Sequence, residues 1–411
     1  MNNIRNYVLG LVLCWLGATS GVASDWAEFR GSAFGHAEAK ALPLKWSATE
    51  NVKWKVELPG KGWSSPALYQ DRLYLTSAIL GETGGMSLHA LCVDAKSGKL
   101  IWDKEVFRPE SSPNIHKKNS HASPTPYVEK DRVYVHFGHQ GTACLDLKGK
   151  VLWKNDTIKY LPVHGSGGSP IVVDDILFFS CDGKDHPFMV ALDKKTGKVR
   201  WKVERETPAK KTFSFSTATV ITVNGQKQII SPGSGVVCAL DPKDGKEIWR
   251  ARYGEGYSVI PKPVYGQGMV FVSSSYDRPV ALGIWVDGKG DVTDTHVAWT
   301  LPKGAPHTPS MLLVGDELYM VSDAGIATCM DAKTGTVHWQ ERVGGNYSAS
   351  PVYAAGRIYF QNEQGVGVVI KPGKVFEKLA ENDLGERTLA SYAIGDKCLF
   401  IRGEEHLFCI E

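Results

Sequence analysis

No two cysteines of this 411-residue chain are adjacent and no CxxC pair occurs, although the chain has eight of them. That removes the zinc sites built on such pairs. Charge of one sign is also scarce. Against 47 basic side chains stand 44 acidic ones, and a formal net charge of +3 is too small at this length to suggest a nucleic-acid or membrane-surface partner. Neither GxSxG nor HExxH is present, so no nucleophile elbow and no metalloprotease helix is signalled. Long apolar runs are missing too. The longest, residues 7–16, is too short to span a bilayer and follows Arg5. With Ala23 and Ser24 near a plausible cleavage point, residues 1–24 read as a secretory signal peptide, which places the mature chain in the periplasm or outside the cell. Cys14 falls inside that segment, and the odd number left argues against a full disulfide framework.

What is present is a repeat. Residues 190–201, VALDKKTGKVRW, read as a β-hairpin: an apolar strand ending in Asp193, a polar turn in which Gly197 takes a positive φ, and a return strand carrying Trp201. The pattern recurs as LCVDAKSGKLIW (91–102), CLDLKGKVLW (144–153), CALDPKDGKEIW (238–249) and CMDAKTGTVHW (329–339). Two copies are degraded: 284–299 carries an insertion after IWVDGKGD, and VIKPGKVF (369–376) has Phe376 where Trp is expected. Each hairpin is preceded by a Ser/Pro-rich start and an alternating strand with its own turn, as in SSPALYQDRLYL (64–75) and SPVYAAGRIYF (350–360). Periods of roughly 40–50 residues, each holding about four strands, are those of propeller blades.

The expected fold is therefore all-β: an eight-bladed β-propeller of four-stranded antiparallel blades with tryptophan-containing repeats, spanning residues 51–411. Residues 25–50 show no period and are expected to pack across the propeller. Residues 51–58 (NVKWKVEL) form a lone strand, while 389–411 supply three strands and stop, so the N-terminal strand is expected to complete the last blade and remove its open edge. Trp102, Trp153, Trp201, Trp249 and Trp339 are expected at blade–blade contacts. Cys92, Cys144, Cys238, Cys329 and Cys409 share one place in successive repeats, just before the Asp, and read as small buried hydrophobes.

These AxDxxTGKxxW repeats resemble the tryptophan-containing repeats of quinoprotein (PQQ-type) eight-bladed propellers, a repeat type shared with the outer-membrane assembly lipoprotein BamB. The opening WAEFRG and NVKWKVELPGKGWSSP are similar to a bacterial family of PQQ-binding-like propeller repeat proteins. For catalytic members the resemblance implies PQQ stacked near the axis, a calcium ion, an Asp base and a disulfide between adjacent cysteines. This chain has no adjacent cysteines, and neither the Asp base nor the calcium ligands match any of its positions.

One set of residues rises above background. The segments opening the innermost strands fall at one phase of every blade and should converge on one mouth of the central channel. They would present Trp63, His121, His164 and Phe215 from the first half of the chain, and Tyr257, His307, Tyr347 and Arg387 from the second. Aromatic and His side chains around a concave site stack on rings and bond polar ligands. The same side chains would equally serve as a plug. DGKGDVTD (287–294), with Asp287, Asp291 and Asp294, resembles a calcium loop, but Ala298 stands where the twelfth-position Glu belongs, so an elaborated turn is expected and no metal. The function expected is an exported non-catalytic module that binds or scaffolds a protein or glycan partner in the cell envelope, as a monomer and without a cofactor. A PQQ-dependent oxidoreductase and a BamB-like assembly scaffold are the alternatives.

Overall fold

The computed structural model describes residues 25–81, 85–111 and 113–411, so the signal-peptide reading of 1–24 lies outside the described residues. The structure is nearly all β: eight antiparallel sheets form an eight-bladed propeller. Blade 3 shows the plan, its strands Ile171–Val173, Ile176–Asp182, Pro187–Asp193 and Val199–Glu204 running from the axis outward. The two middle strands lie between neighbouring blades and are almost wholly buried, which is why they read as continuous apolar runs. The outermost strand has one face to solvent and alternates, with Trp201 inward between exposed Arg200 and Lys202. Val52–Glu57 pairs antiparallel with His406–Ile410, so the last blade is built from both ends of the described chain and no sheet edge is left open at the joint. Two blades carry a fifth, two-residue strand beyond the expected four. His36–Ala37 runs parallel to Val352–Ala354 in blade 7, and Gly290–Asp291 parallel to Glu247–Arg252 in blade 4.

The repeated Trp is what joins blade to blade. Its indole N–H donates to a carbonyl in the hairpin turn of the next blade: Trp102 to Leu147 (3.1 Å), Trp153 to Lys194 (3.1 Å), Trp201 to Pro242 (3.0 Å) and Trp299 to Ala332 (2.8 Å). The ring then lies on that turn's glycine. A Cβ added at Gly197, where φ is +72°, would sit 2.4 Å from the Trp153 ring, so this position needs glycine for both backbone and space. Asp193 holds the turn by accepting from the backbone N–H groups of Lys195 and Thr196 and from the Thr196 hydroxyl. Within its own sheet each Trp stands at a β-bulge opposite a small side chain: Cys92 for Trp102, Cys144 for Trp153, Ala191 for Trp201 and Cys329 for Trp339.

Three readings are corrected by this register. Trp54 is a seventh member that the lone-strand reading overlooked: opposite Cys409, it donates to Ala95 of blade 1 and closes the circle. Ala380, not Phe376, stands in the Trp register of blade 7, because the bulge falls between Val369 and Ile370; Phe376 packs instead on Trp339, centroids 5.1 Å apart. Cys238 is one residue out of phase and faces away, leaving Ala239 opposite Trp249. Trp249 cannot dock as the others do, since blade 5 has the insertion in place of the turn; its N–H bonds Gln228 of its own blade and its ring is fully buried. Trp102 is only half-buried. The described cysteines are free, and burial pushes the thiols of Cys92 and Cys238 up to about 12, as befits packing groups.

A second contact runs around the axis. At the start of each innermost strand a backbone N–H donates to a hydroxyl of the next blade: Ser65 to Thr125, Thr125 to Ser169 and Ser169 to Thr217, each 2.9 Å. The circuit resumes with Lys262 to Ser310 (2.9 Å), Ser310 to Ser350 (3.0 Å), Ser350 to Ser391 (2.9 Å) and Ser391 back to Ser65 (3.1 Å). Lys262 occupies the fifth place without a hydroxyl; its ammonium runs instead to Glu28 Oε2 and the Phe29 carbonyl, both at 3.1 Å. Those two residues belong to the N-terminal segment, which crosses one end of the channel. Trp26 pairs with Leu68 of blade 1, Ala27 accepts from Val128 of blade 2, and Arg30 donates to Pro351 of blade 7.

Trp201→Ala should cost about 3–5 kcal/mol, the range for emptying a packed aromatic site. Gly197→Ala, on the facing turn of the Trp153 contact, should cost about 2–4 kcal/mol from left-handed strain and overpacking combined. Chemical denaturation of both variants is the measurement, and a loss below about 1 kcal/mol for either contradicts the docking role.

Candidate axial binding site

Because the inner strands all begin at one end of the channel, the loops before them surround a cavity of about 360 Å³ on the axis. Its floor carries six collar hydroxyls, those of Ser65, Thr125, Ser169, Thr217, Ser350 and Ser391, and Phe29 of the crossing segment. Its wall is aromatic: Trp63, His164, Phe215, Tyr257 and Tyr276. His116, Lys118 and Asn119 overhang it from the long connection between blades 1 and 2. That connection is pinned. Lys118 reaches Glu363 of blade 7 (2.7 Å), Asn119 donates to the His164 carbonyl (2.7 Å), and the His116 and His164 rings meet edge to face at 5.4 Å.

Of the eight sequence-derived candidates, Trp63, His164, Phe215 and Tyr257 line this cavity. Arg387 stands just outside, its guanidinium 5.5 Å from the centre of the Trp63 ring. His307 is one layer back, stacked on Tyr276 at 4.5 Å. Its Nδ1 lies 3.4 Å from Asp323. Burial works to raise the Asp323 carboxyl, but hydrogen bonds from His307 and Thr308 outweigh it and hold it below the ordinary carboxylate range. His121 is half-buried and does not line the cavity, and that burial lowers its pKa. Tyr347 is corrected: it is fully buried in the core between blades 6 and 7, edge-on to Phe360, because its ring turns from the axis into the apolar layer. Sequence reasoning missed Phe29, His116, Lys118 and Tyr276, and treated the Ser/Thr-Pro steps as strand starts only. Their signal was visible: a hydroxyl stands at the same phase in SSP, SPTP, GGSP and SASP.

The ionisable groups of the wall are His116, His164 and Lys118; no carboxylate lines it. Burial, then the neighbouring His116, lowers His164, so it is a neutral imidazole at pH 7. The imidazole–carboxylate pair of His307 and Asp323 stands a layer behind the wall rather than in it. The acidic turn is spent elsewhere: Asp291 bonds Arg252 and Thr293, contacts that hold its carboxyl at about 2, and Asp287 faces His296 at 3.6 Å. Among the described residues no three His, Cys, Asp or Glu side chains converge to hold a metal ion, and no helix is long and apolar enough to cross a membrane.

The family profile described as outer membrane protein assembly factor BamB matches residues 47–212, 89–341 and 290–375, overlapping stretches that together cover most of the chain. The chain belongs to this BamB-type repeat family. Curated relatives of the repeat divide by name. Over 153 residues the chain is 32% identical to a lanthanide-dependent methanol dehydrogenase of Methylorubrum extorquens, covering 33% of this chain and 24% of that protein. Over 321 residues it is 21% identical to BamB of Yersinia pestis, covering 77% and 66% respectively. The chain thus spans about a quarter of the dehydrogenase it matches. The crystal structure of BamB from Moraxella catarrhalis superposes with a TM-score of 0.60 at 12% identity, over 87% of this chain and 98% of that one, a likeness of fold.

Behind Phe215 lies a polar pocket about the size of one water molecule, lined by His136, Tyr160, Ser180 and Ser214 among others. His136 is buried, bonded to the Thr142 hydroxyl at 2.8 Å and held neutral: burial, then His139, pushes it down to about 3 from 6.5. Unfolding restores the ordinary value, so the unfolded chain binds the extra proton between about pH 6.5 and 3. Stability should fall on acidification through that window by up to roughly 1.4 kcal/mol per unit from this group. Urea midpoints of wild type and His136→Gln across the window check this; equal slopes contradict it.

Proposed function

We propose that this propeller is a non-catalytic binding module of the cell envelope whose axial cavity takes a sugar ring of a glycan partner. The observation that carries the reading is the lining: an aromatic wall over a hydroxyl floor, with no carboxylate among the lining residues. Aromatic faces stack on the apolar faces of a ring while hydroxyls exchange hydrogen bonds with its edges. The envelope placement rests on the signal-like residues 1–24 and on the likeness to BamB, an outer membrane protein assembly factor.

The dehydrogenase relatives suggest a quinone cofactor. A quinone bearing several carboxylates beside a multivalent cation calls for several basic side chains and for acidic metal ligands. The wall offers Lys118, already neutralised by Glu363, and no acidic side chain. Adjacent cysteines are absent from the sequence. The residues do not fit that group.

Calorimetric titration of the purified protein with glucose, N-acetylglucosamine and their β1,4-linked oligomers tests the reading. At least one should saturate, and Trp63→Ala or Tyr257→Ala should weaken it at least tenfold, about 1.4 kcal/mol. PQQ with calcium or a lanthanide, followed by dye reduction with methanol or glucose, is the opposing arm; turnover there would falsify the non-catalytic assignment. Retention of an envelope protein by the wild type and by Trp63→Ala alike, with no saccharide bound, points instead to a BamB-like scaffold.

A further inference from the structure

The last blade holds two cysteines where every other cysteine-bearing blade holds one. Cys92, Cys144, Cys181, Cys238 and Cys329 are buried singly in blades 1, 2, 3, 4 and 6. Cys398 and Cys409 share the blade that closes the circle, and they share one face of it. Phe400 stands opposite Cys409 in the ladder, and Cys398, two residues before Phe400, projects to the same side. The side chains agree: a Cβ added at Gly395 would lie 2.9 Å from the Cys398 Sγ and 3.2 Å from the Phe400 ring. Both cysteines belong to one apolar cluster, with Trp54 and Phe400 beside them. Within it the thiols are hydrogen-bonded to each other, the Cys409 S–H donating.

Their surroundings differ. Cys409 is wholly buried, whereas Cys398 precedes the first paired residue of its strand, in the turn that begins at Gly395, and is partly exposed. A reagent in solution therefore meets Cys398 first and reaches Cys409 only through it. The bond from Cys409 holds the Cys398 thiol below its ordinary value, with burial and the Glu411 carboxylate opposing and the Lys53 ammonium assisting. The same bond, together with burial, pushes the Cys409 thiol well up. Cys398 is the readier nucleophile, and Cys409 keeps its proton until Cys398 has reacted.

We propose that Cys398 and Cys409 form an oxidisable dithiol, closed by a disulfide donor of the envelope into a bond that staples the blade built from both ends of the described chain. The Cys398 thiolate attacks one sulfur of the donor, RS–SR, forming a mixed disulfide and releasing RS⁻. Cys409 then attacks the Cys398 sulfur, and the second RS⁻ leaves. The two cysteine protons end on the two released thiols, so the cysteines are oxidised by two electrons and the donor is reduced by two. The bond spans the open end of the hairpin on which Val52–Glu57 lies, and so constrains the unfolded chain at the seam of the circle. Its use in the cell rests on the envelope placement above, whereas closure by an added donor depends on the pair alone.

The reduced protein is incubated with glutathione disulfide, then denatured, alkylated and weighed. The wild type should lose about 2 Da and two alkylatable thiols, the change for one intrachain disulfide. Its peptide map should join Cys398 to Cys409, and dithiothreitol should reverse the change. Cys409→Ser should stop at one glutathione on Cys398, and Cys398→Ser should take up none at any described cysteine. Should Cys409→Ser not fold, the wild-type peptide map decides. The oxidised wild type should show a higher urea midpoint than the reduced form. Retention of all thiols, a glutathione adduct that never resolves, or linkage of any other cysteine pair overturns the dithiol. Glutathione taken up by Cys398→Ser overturns Cys398 as the point of entry. A Cys398–Cys409 bond that leaves the midpoint unchanged or lower overturns the staple.

Discussion

One contact recurs from blade to blade: an indole laid on the glycine of the next hairpin turn, with its N–H on that turn's carbonyl. A propeller has no single core. Its blades are separate sheets that meet face to face, and every interface must fix both spacing and angle. A Trp does this with one residue, because its large face supplies area while its N–H demands a particular neighbour. The small residue opposite it, Cys, Ala or Gly, makes room within the sheet, and the bulge aims it. The rest of the blade can then vary widely.

Where the contact fails, the structure substitutes for it. Blade 5 lacks the receiving turn, and Trp249 is instead buried whole beneath the insertion, with Val286 and Val292 in the same cluster. Blade 7 lacks the Trp itself. There Trp46 of the N-terminal segment lies in the same cluster as Ala380 and stacks near Tyr359, centroids 6.4 Å apart. That segment therefore serves twice: it supplies a missing aromatic at the periphery and, through Phe29, lines the cavity at the axis. Closing one end of the channel converts a pore into a cup, and the cup is what makes binding chemistry plausible on a fold that by itself implies none.

In this chain the collar and the Trp contacts hold the blades around an axial space whatever lines it. Activity then depends on wall residues drawn from eight separate loops, which change independently of the scaffold. In this chain those loops supply rings and imidazoles, and the wall carboxylates that would hold a metal are not among them.

The fold was legible in the sequence because its determinants are local. The Asp–Gly–Trp spacing is a hairpin's own chemistry, and seven copies at near-regular spacing, two of them degraded, leave one way to bury their faces. The missing strand at the C-terminal end foretold Val52–Glu57 for the same reason. Local phase did less for the site. Trp63, His164, Phe215 and Tyr257 reach the cavity, but Tyr347, at the same phase, turns into the core, since a side chain's direction depends on which neighbouring blade leaves it space. Phe29, Arg30 and Lys118 carry no repeat signal at all. They are placed by contacts hundreds of residues apart in sequence, such as Arg30 to Pro351 and Lys118 to Glu363, and only the closed circle of blades brings those partners together.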